Sequence, residues 1–365
     1  VYKRQVMYND NDMTNNQAVS NTVIYSDYNF RREYSNLNGL KFIGGLSVQN
    51  TVSDALMYNA SGSNINKLFN FSGYAEIEHN VFKILNLVAG FRYEYFKLNS
   101  LNANMKTIFR AGASLKVMQE TYVRMSLGQG YRYPTIAERF IKINLGTFGV
   151  FDNPDLVPET SLNAEVGVKQ GFKFLNYFGY LDIAVFQQDY QNTIEYLFGF
   201  WDSTYKFAIG GFKFLNTGKS RITGIDISLT GKAQIGDHVV MNSVFANNYI
   251  LPKSMEPDYV FAKDFKPSGN TEFTYTNTSV DPSKHILKYR FLHTLKGDIE
   301  FIFKGFAPGL SVKYFSKIEN LDKAIADFER ATEAAQGTVQ PIKYMNYFNN
   351  HNTGNWILDF RVSYN

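Results

Sequence analysis

The side chains able to do chemistry in this chain are mostly charged or aromatic, and few of them cluster. The five histidines, His79, His238, His285, His293 and His351, are scattered. None has the His-Glu-x-x-His spacing that puts two imidazoles on one helix face around zinc. There is no cysteine, which excludes a disulfide scaffold and a thiolate metal site. The sequence also lacks a Gly-x-Ser-x-Gly elbow and a phosphate loop. A Ser-His-Asp site is defined by geometry and can be assembled across strands. Ser126, Ser228 and Asp226 have the right types, but no histidine lies on the adjacent segments at a matching level. The sequence therefore calls for no catalytic residue, no metal ligand and no cofactor, and is not read as an enzyme. What it offers is binding chemistry. Arg132 and Tyr133 are followed closely by Glu138 and Arg139, and Phe198, Phe200 and Trp201 lie together. A guanidinium can hold an anionic ligand or pair with a carboxylate of its own chain. Aromatic rings can stack on a ligand or pack their own loop. Both readings stay open for Arg132, Tyr133, Arg139, Phe198 and Trp201, the candidate substrate-binding residues.

Those residues need elements to position them, and composition narrows the choice. Lys and Arg number 37 against 33 Asp and Glu, a net charge of +4. That balance excludes a dedicated nucleic-acid binder. Phe 32, Tyr 25 and Trp 2 make up 16% of the 365 residues, yet hydrophobic residues reach only 44% and the mean hydropathy is −0.26. No run approaches the roughly 18 apolar residues of a transmembrane helix; Leu85-Asn86-Leu87-Val88 is already broken by an Asn. Val1-Tyr2-Lys3-Arg4 does not start a signal peptide, so one is expected to be removed or to lie outside this chain.

An aromatic-rich but polar chain must set rings beside polar neighbours, and strict alternation does so. Over 83–97 one face reads Leu85, Leu87, Ala89, Phe91, Tyr93, Tyr95; the other reads Asn86, Val88, Gly90, Arg92, Glu94. Over 121–133 one face reads Val123, Met125, Leu127, Tyr131, Tyr133, with Gln129 as the exception. Segments 162–172, 221–232 and 354–365 alternate in the same way. About 14 strand segments emerge: 1–9, 21–33, 40–52, 67–79, 83–97, 105–116, 121–132, 162–172, 177–196, 213–231, 238–250, 286–304, 309–319 and 354–365. Many run about 10–15 residues, longer than soluble strands, and Tyr and Trp gather at their ends. Long connections (10–20, 53–66, 98–104, 133–161, 197–212, 251–285, 320–353) alternate with short ones (34–39, 80–82, 117–120, 173–176, 232–237, 305–308). Asn38-Gly39, Gly236-Asp237 and Pro308-Gly309 mark tight turns. Short turns on one side and long loops on the other predict an all-β, transmembrane, antiparallel up-and-down β-barrel. One loop holds a helix, capped by Asn320-Leu321-Asp322, running to Ala335 and stopped by Gly337; it is read as packing the loop. Val1 starts inside an alternating run and Asn365 closes without a terminal aromatic. Open edges are untenable in lipid, so the chain is expected to be part of a larger barrel.

Three ordered motifs then carry a resemblance. Gly128-Gln129-Gly130-Tyr131-Arg132-Tyr133-Pro134-Thr135-Ile136-Ala137-Glu138-Arg139-Phe140 resembles the Gly-Phe-Arg-x-Pro-x-x-x-Glu segment of the TonB-dependent outer-membrane receptors. Asn153-Pro154-Asp155-Leu156-Val157-Pro158-Glu159-Thr160-Ser161, leading into Glu165-Val166-Gly167, is similar to the stretch that opens that family's next strand. Asn216-Thr217-Gly218 with Gly224-Ile225-Asp226-Ile227 matches a third. The resemblance implies a barrel of about 22 strands plugged by an N-terminal domain. Residues 1–365 are then a partial barrel, with the plug and the C-terminal strands not present in this chain. Gly128 and Gly130 face inward and leave space beside a plug, Arg132 points into the lumen near the external mouth, and Glu159 orders its own loop.

The function implied is active import of a nutrient or metal chelate across the outer membrane of a Gram-negative bacterium. Its partners would be outer-membrane lipid, a TonB complex acting through the absent plug, and a ligand: an iron chelate, haem, cobalamin, a glycan or a peptide. The Asn- and Tyr-rich loops resemble the nutrient-uptake branch, whose members pair with a surface lipoprotein. Two alternatives stay open: a passive 14-stranded channel, which requires the chain to be complete, and an outer-membrane barrel hydrolase.

Overall fold

The computed structural model describes residues 5–7, 17–37, 39–82, 84–144, 148–202, 209–266, 269–334 and 343–364. In chain order the elements are β1 (Gln5–Met7), β2 (Gln17–Tyr34), β3 (Leu40–Ala55), β4 (Ile65–Val81), β5 (Leu85–Leu98), β6 (Asn104–Met118), β7 (Thr121–Arg132), α1 (Ile136–Phe140), β8 (Ile143–Asn144), β9 (Phe148–Phe151), β10 (Glu159–Phe174), β11 (Tyr177–Gln191), β12 (Ile194–Asp202), β13 (Ile209–Asn216), β14 (Ser220–Ile235), β15 (Val239–Ser254), β16 (Ala262–Lys266), β17 (Gly269–Phe273), α2 (Tyr275–Thr278), β18 (His293–Phe303), β19 (Phe306–Phe315), α3 (Lys323–Ala334), α4 (Tyr344–His351) and β20 (Asn355–Tyr364). Among the described residues, no helix is long and apolar enough to cross a membrane, which says nothing of strands.

Fourteen strands form one sheet in the order β1-β2-β3-β4-β5-β6-β7-β10-β11-β14-β15-β18-β19-β20, with β1 and β20 as its edges. Neighbours are antiparallel throughout. This is an up-and-down barrel wall, not closed among the described residues. The sheet's fourteen strands correspond one for one to the segments read from alternation. Among the described residues the long connections leave from one end of the sheet, and the short turns close the other.

Alternation becomes two faces. Register partners Ala89, Ala111, Leu127, Ala164 and Gln187 share one side. That outer side also carries Phe91, Phe109, Met125, Val166, Val185 and Phe245, all exposed. The other side carries ion pairs that step across strands: Arg124 Nε reaches Glu165 Oε1 at 3.1 Å and Arg124 Nη1 reaches Asp182 Oδ1 at 2.6 Å. Arg361 spans Asp298 and Glu300 on the same inner face, and Arg110 meets Glu76. Gln129 is polar in an apolar row for a local reason. The β6–β7 register ends at Arg110↔Gly128, and the Gln129 side chain accepts the next β6 amide, Phe109 N–H, at 3.1 Å.

Several boundaries differ from the sequence expectation. The 177–196 segment breaks at Asn192-Thr193, and 213–231 breaks at Thr217–Lys219, because the chain leaves the wall there to build β12 and β13. Within segment 286–304 the continuous strand starts at His293, preceded by an isolated bridge from Ile286 to Lys253 of β15. The turn assigned to Pro308-Gly309 lies at Lys304-Gly305, whose φ values of 46° and 83° suit a two-residue hairpin. Pro308 and Gly309 sit inside β19, opposite Val362 and Arg361. The loop helix starts at Lys323, and the Asp322 carboxylate is turned away to other partners. Asn38, Ala335, Gly337 and most of segment 1–9 lie outside the described residues. The inward glycines also have local causes. A Cβ on Gly167 would fall 2.8 Å from Arg124 Cζ, and one on Gly130 would strike Ser161 Oγ, so these positions make room for wall side chains.

Candidate functional site

At the end of the long connections the loops fold into a second structure. The strands β12, β13, β9 and β8 form their own sheet in that order, with β13 parallel to β9. Its aromatic residues Tyr196, Phe198, Phe200, Phe212 and Phe214 share one face, with Tyr196 opposite Phe214 and Phe198 opposite Phe212. Phe198 is buried against Phe200, Phe212 and Phe328 of α3. Trp201 Nε1 donates to the Gly211 carbonyl at 2.9 Å, and its ring meets Phe273 edge-on at 5.4 Å.

The motif after β7 anchors this cap to the wall. Thr135 caps α1: its hydroxyl accepts Glu138 N–H at 3.1 Å while Glu138 Oε2 accepts Thr135 N–H at 2.8 Å. The other Glu138 oxygen pairs with Arg132 Nη1 at 2.6 Å, and Glu159 lies 3.5 Å from Arg132 Nε. Arg132 is thus held by two carboxylates of its own chain. Glu159 also accepts the Ile194 amide at 2.8 Å, fixing where the chain leaves the wall. Tyr133 is buried, stacked on Phe96 at 5.0 Å with rings 7° apart. Arg139 is buried too. Its guanidinium lies 5.2 Å from the Tyr133 ring and donates to the Pro154 carbonyl at 2.6 Å and to the Leu156 carbonyl. Asn153 and Asn216 continue the lacing, from Asn153 Nδ2 to the Phe214 carbonyl at 2.8 Å and from the Val157 amide to Asn216 Oδ1 at 2.9 Å.

Sequence reasoning missed a buried polar cluster where three long loops meet. Lys288 Nζ lies 2.6 Å from Asp322 Oδ1, with side chains 0% and 1% exposed. Asp322 Oδ2 accepts Tyr289 O–H at 2.7 Å and the Phe198 amide at 2.6 Å. Lys288 also donates to Thr278 Oγ1 at 2.7 Å. Nearby, Arg290 Nη2 reaches Glu195 Oε1 at 2.7 Å; the Glu195 side chain is 2% exposed and that of Arg290 41%. Burial pushes the Glu195 carboxyl up to about 7, against the pull of Arg290 and Lys288. Burial lowers Lys288, with Asp322 opposing. Burial raises both tyrosine hydroxyls, Tyr275 and Tyr289, so they act as neutral groups. The partners are 34 and 95 residues apart, and no local spacing rule joins them.

Beside this cluster opens a recess of about 400 Å³ lined by Ile194, Glu195, Tyr196, Phe212, Phe214, Tyr289 and Arg290. It joins aromatic faces to one guanidinium and one carboxylate, a set suited to holding a ligand by stacking and charge. A second recess, about 770 Å³, lies on the inner wall around Arg124, Asp182, Asp226, Lys296 and Lys313. Of the five residues singled out in the sequence, Arg132, Tyr133 and Arg139 share one neighbourhood, and Phe198 and Trp201 lie in the loop sheet. None of the five lines the aromatic recess. Among the described residues, no group of three or more His, Asp or Glu is set to hold a metal ion.

The family model described as TonB dependent receptor-like, beta-barrel, matches residues 2–365. The chain belongs to the TonB-dependent receptor family, as the motifs at 128–140, 153–167 and 216–227 implied. Similar solved structures include the siderophore receptor PirA from Pseudomonas aeruginosa, at 13% identity and TM-score 0.58, covering 83% of this chain and 50% of that one. The Serratia marcescens hemophore receptor HasR, solved with its hemophore HasA and heme, matches at 12% identity and TM-score 0.58, covering 84% and 53%. The copper transporter OprC matches at 10% identity and TM-score 0.58, covering 96% and 48%. At such identities the likeness is one of fold, and this chain spans about half the length of those receptors. A comparison with curated proteins finds no match.

Proposed function

We propose that the chain is the barrel part of a TonB-dependent importer in the outer membrane of a Gram-negative bacterium. In this reading the ligand is captured in the loop cap, at the Tyr196–Phe214–Tyr289–Arg290 recess. The observation that carries it is that the long connections of a TonB-dependent receptor barrel fold into a sheet with a charged, aromatic recess. The half-length match to solved receptors supports a longer protein of about 22 strands with a plug domain that couples to TonB. Related structures are named for a siderophore, for heme with a hemophore, and for copper. Those names favour an iron chelate or haem among the proposed ligand classes, which also include cobalamin, glycans and peptides, with a surface lipoprotein as a further partner. Arg139, Tyr133 and Phe198 act by shaping the cap; Arg132 and Trp201 keep exposed surface and are the two of the five able to meet ligand.

The test is uptake by cells carrying the full-length receptor, with and without TonB, across those ligand classes. Accumulation of one class that collapses when TonB or the proton gradient is removed supports the proposal. Accumulation that continues unchanged without TonB would make the chain a passive channel.

A further inference from the structure

The aromatic recess has a charge balance that dictates what it can accept. Two cations, Lys288 and Arg290, face two carboxylates, Glu195 and Asp322, from three different loops. The Glu159 carboxylate approaches from the start of β10, and the Tyr275 and Tyr289 hydroxyls pack in as neutral groups. The two acids are not equivalent. Asp322 is pinned by Lys288, Tyr289 and the Phe198 amide. Glu195 has Arg290 as its side-chain partner among the described residues. Arg290 in turn gives Nη1 to the Lys288 carbonyl at 3.3 Å, and its side chain is 41% exposed and lines the recess. An anion arriving at that guanidinium meets Glu195 on the far side as a like charge in a poorly solvated site. Two carboxylates sharing one guanidinium there cannot both stay ionised cheaply.

We propose that this recess binds ligands bearing a carboxylate beside a flat aromatic face, and that each ligand bound carries one proton onto Glu195. The proposal rests on reading the recess as the ligand site. The step balances simply. The Arg290 Nη2–H···Oε1 bond to Glu195 breaks, a proton from solvent joins the Glu195 carboxylate, and the freed N–H donates to the ligand carboxylate. The ring of the ligand stacks among Tyr196, Phe212 and Phe214. The cluster stays neutral before and after. By linkage, what the ligand does to the proton affinity of Glu195 the proton does to ligand affinity. The upward-shifted Glu195 carboxyl places this exchange near neutral pH.

The test uses the full-length receptor in detergent, with 2-naphthoate as probe and its uncharged amide, 2-naphthamide, as control, titrated by calorimetry from pH 5.5 to 8.5. Naphthoate affinity should rise about tenfold per pH unit as pH falls from 8.5 toward 7, then level off, while the amide stays flat. At pH 8, heats in buffers of different ionisation enthalpy should report uptake of one proton. Glu195→Gln should bind naphthoate at pH 8 as tightly as the native receptor does in acid, with no pH dependence. Arg290→Gln should lose the preference for naphthoate over the amide. Naphthoate binding with a flat pH profile and no proton uptake overturns the coupling but leaves the recess a binding site. Failure of both probes at every pH overturns the recess reading along with it. If Glu195→Gln does not fold, as judged by heat-shifted gel mobility, the native proton count decides alone.

Discussion

The wall and the cap solve the same problem, placing charges in a folded chain, in opposite ways. On the wall, Arg124, Glu165 and Asp182 have side chains 34%, 36% and 22% exposed. The pairs repeat from strand to strand, and each contributes little alone. In the cap, Lys288 and Asp322 are sealed, and taking one partner away leaves an uncompensated buried charge. The wall is held by its backbone ladder, which runs through every neighbouring pair of strands. The cap is held by a few side chains whose loss cannot be shared. One region tolerates substitution; the other concentrates its stability in a handful of atoms.

The hardest blow to this contrast is Lys288→Met. It should destabilise the cap by about 3–5 kcal/mol, read as lost hydrogen-exchange protection in 194–202 and 286–292, with the strands of the wall unchanged. Equal loss in both regions would show that cap and wall unfold together. Pairing it with Asp322→Leu should restore much of that protection, because no lone charge then remains buried.

The pH response comes next. The Glu195 carboxyl is raised above its unfolded value of 4.5, so its contribution is fully present below that value and lost as pH rises through about 7. That shift amounts to roughly 3 kcal/mol. Exchange protection of the cap, corrected for the intrinsic rate, should therefore fall as pH rises from about 4.5 to about 7 and then level off, and Glu195→Gln should flatten the profile. Smaller still is Thr135→Ala, which removes the α1 cap and should cost about 1 kcal/mol, seen as local fraying of 135–140. Smallest is Arg124→Gln on the wall, where a change under about 1 kcal/mol is expected in thermal unfolding. A large effect there would mean the inner wall bears load as the cap does.

The wall was legible because its rule is local. A strand that faces lipid on one side and polar groups on the other must alternate, and alternation can be counted without knowing any partner. Its errors came where a second rule competed. The 177–196 and 213–231 segments keep alternating beyond the wall because β12 and β13 are also strands, so the pattern carries no mark where the sheet changes. Asn192-Thr193 and Thr217-Gly218 were the available signals, Gly218 having a φ of 85°. Pro308-Gly309 looked like a turn, yet Gly309 serves to clear space for the Arg361 guanidinium. The cap was largely illegible. Arg139 was found by motif, but nothing in its spacing says that it satisfies carbonyls at 154 and 156. Glu195 with Arg290 and Lys288 with Asp322 meet only because separate loops converge, and convergence leaves no trace in local sequence.

The parallel pairing of β13 with β9 has a consequence for how the molecule assembles. Gly210 pairs with Phe148 and Lys213 with Phe151, so the chain between them must already have turned back on itself. The β10–β11 hairpin performs that turn. Until it has zipped, the two halves of the cap sheet are far apart and the loop entropy of joining them is unrewarded. The cap is therefore expected to fold after the wall, templated on a finished hairpin. A slow phase that reports Trp201 packing against Phe273 should follow, and never precede, formation of the wall around it.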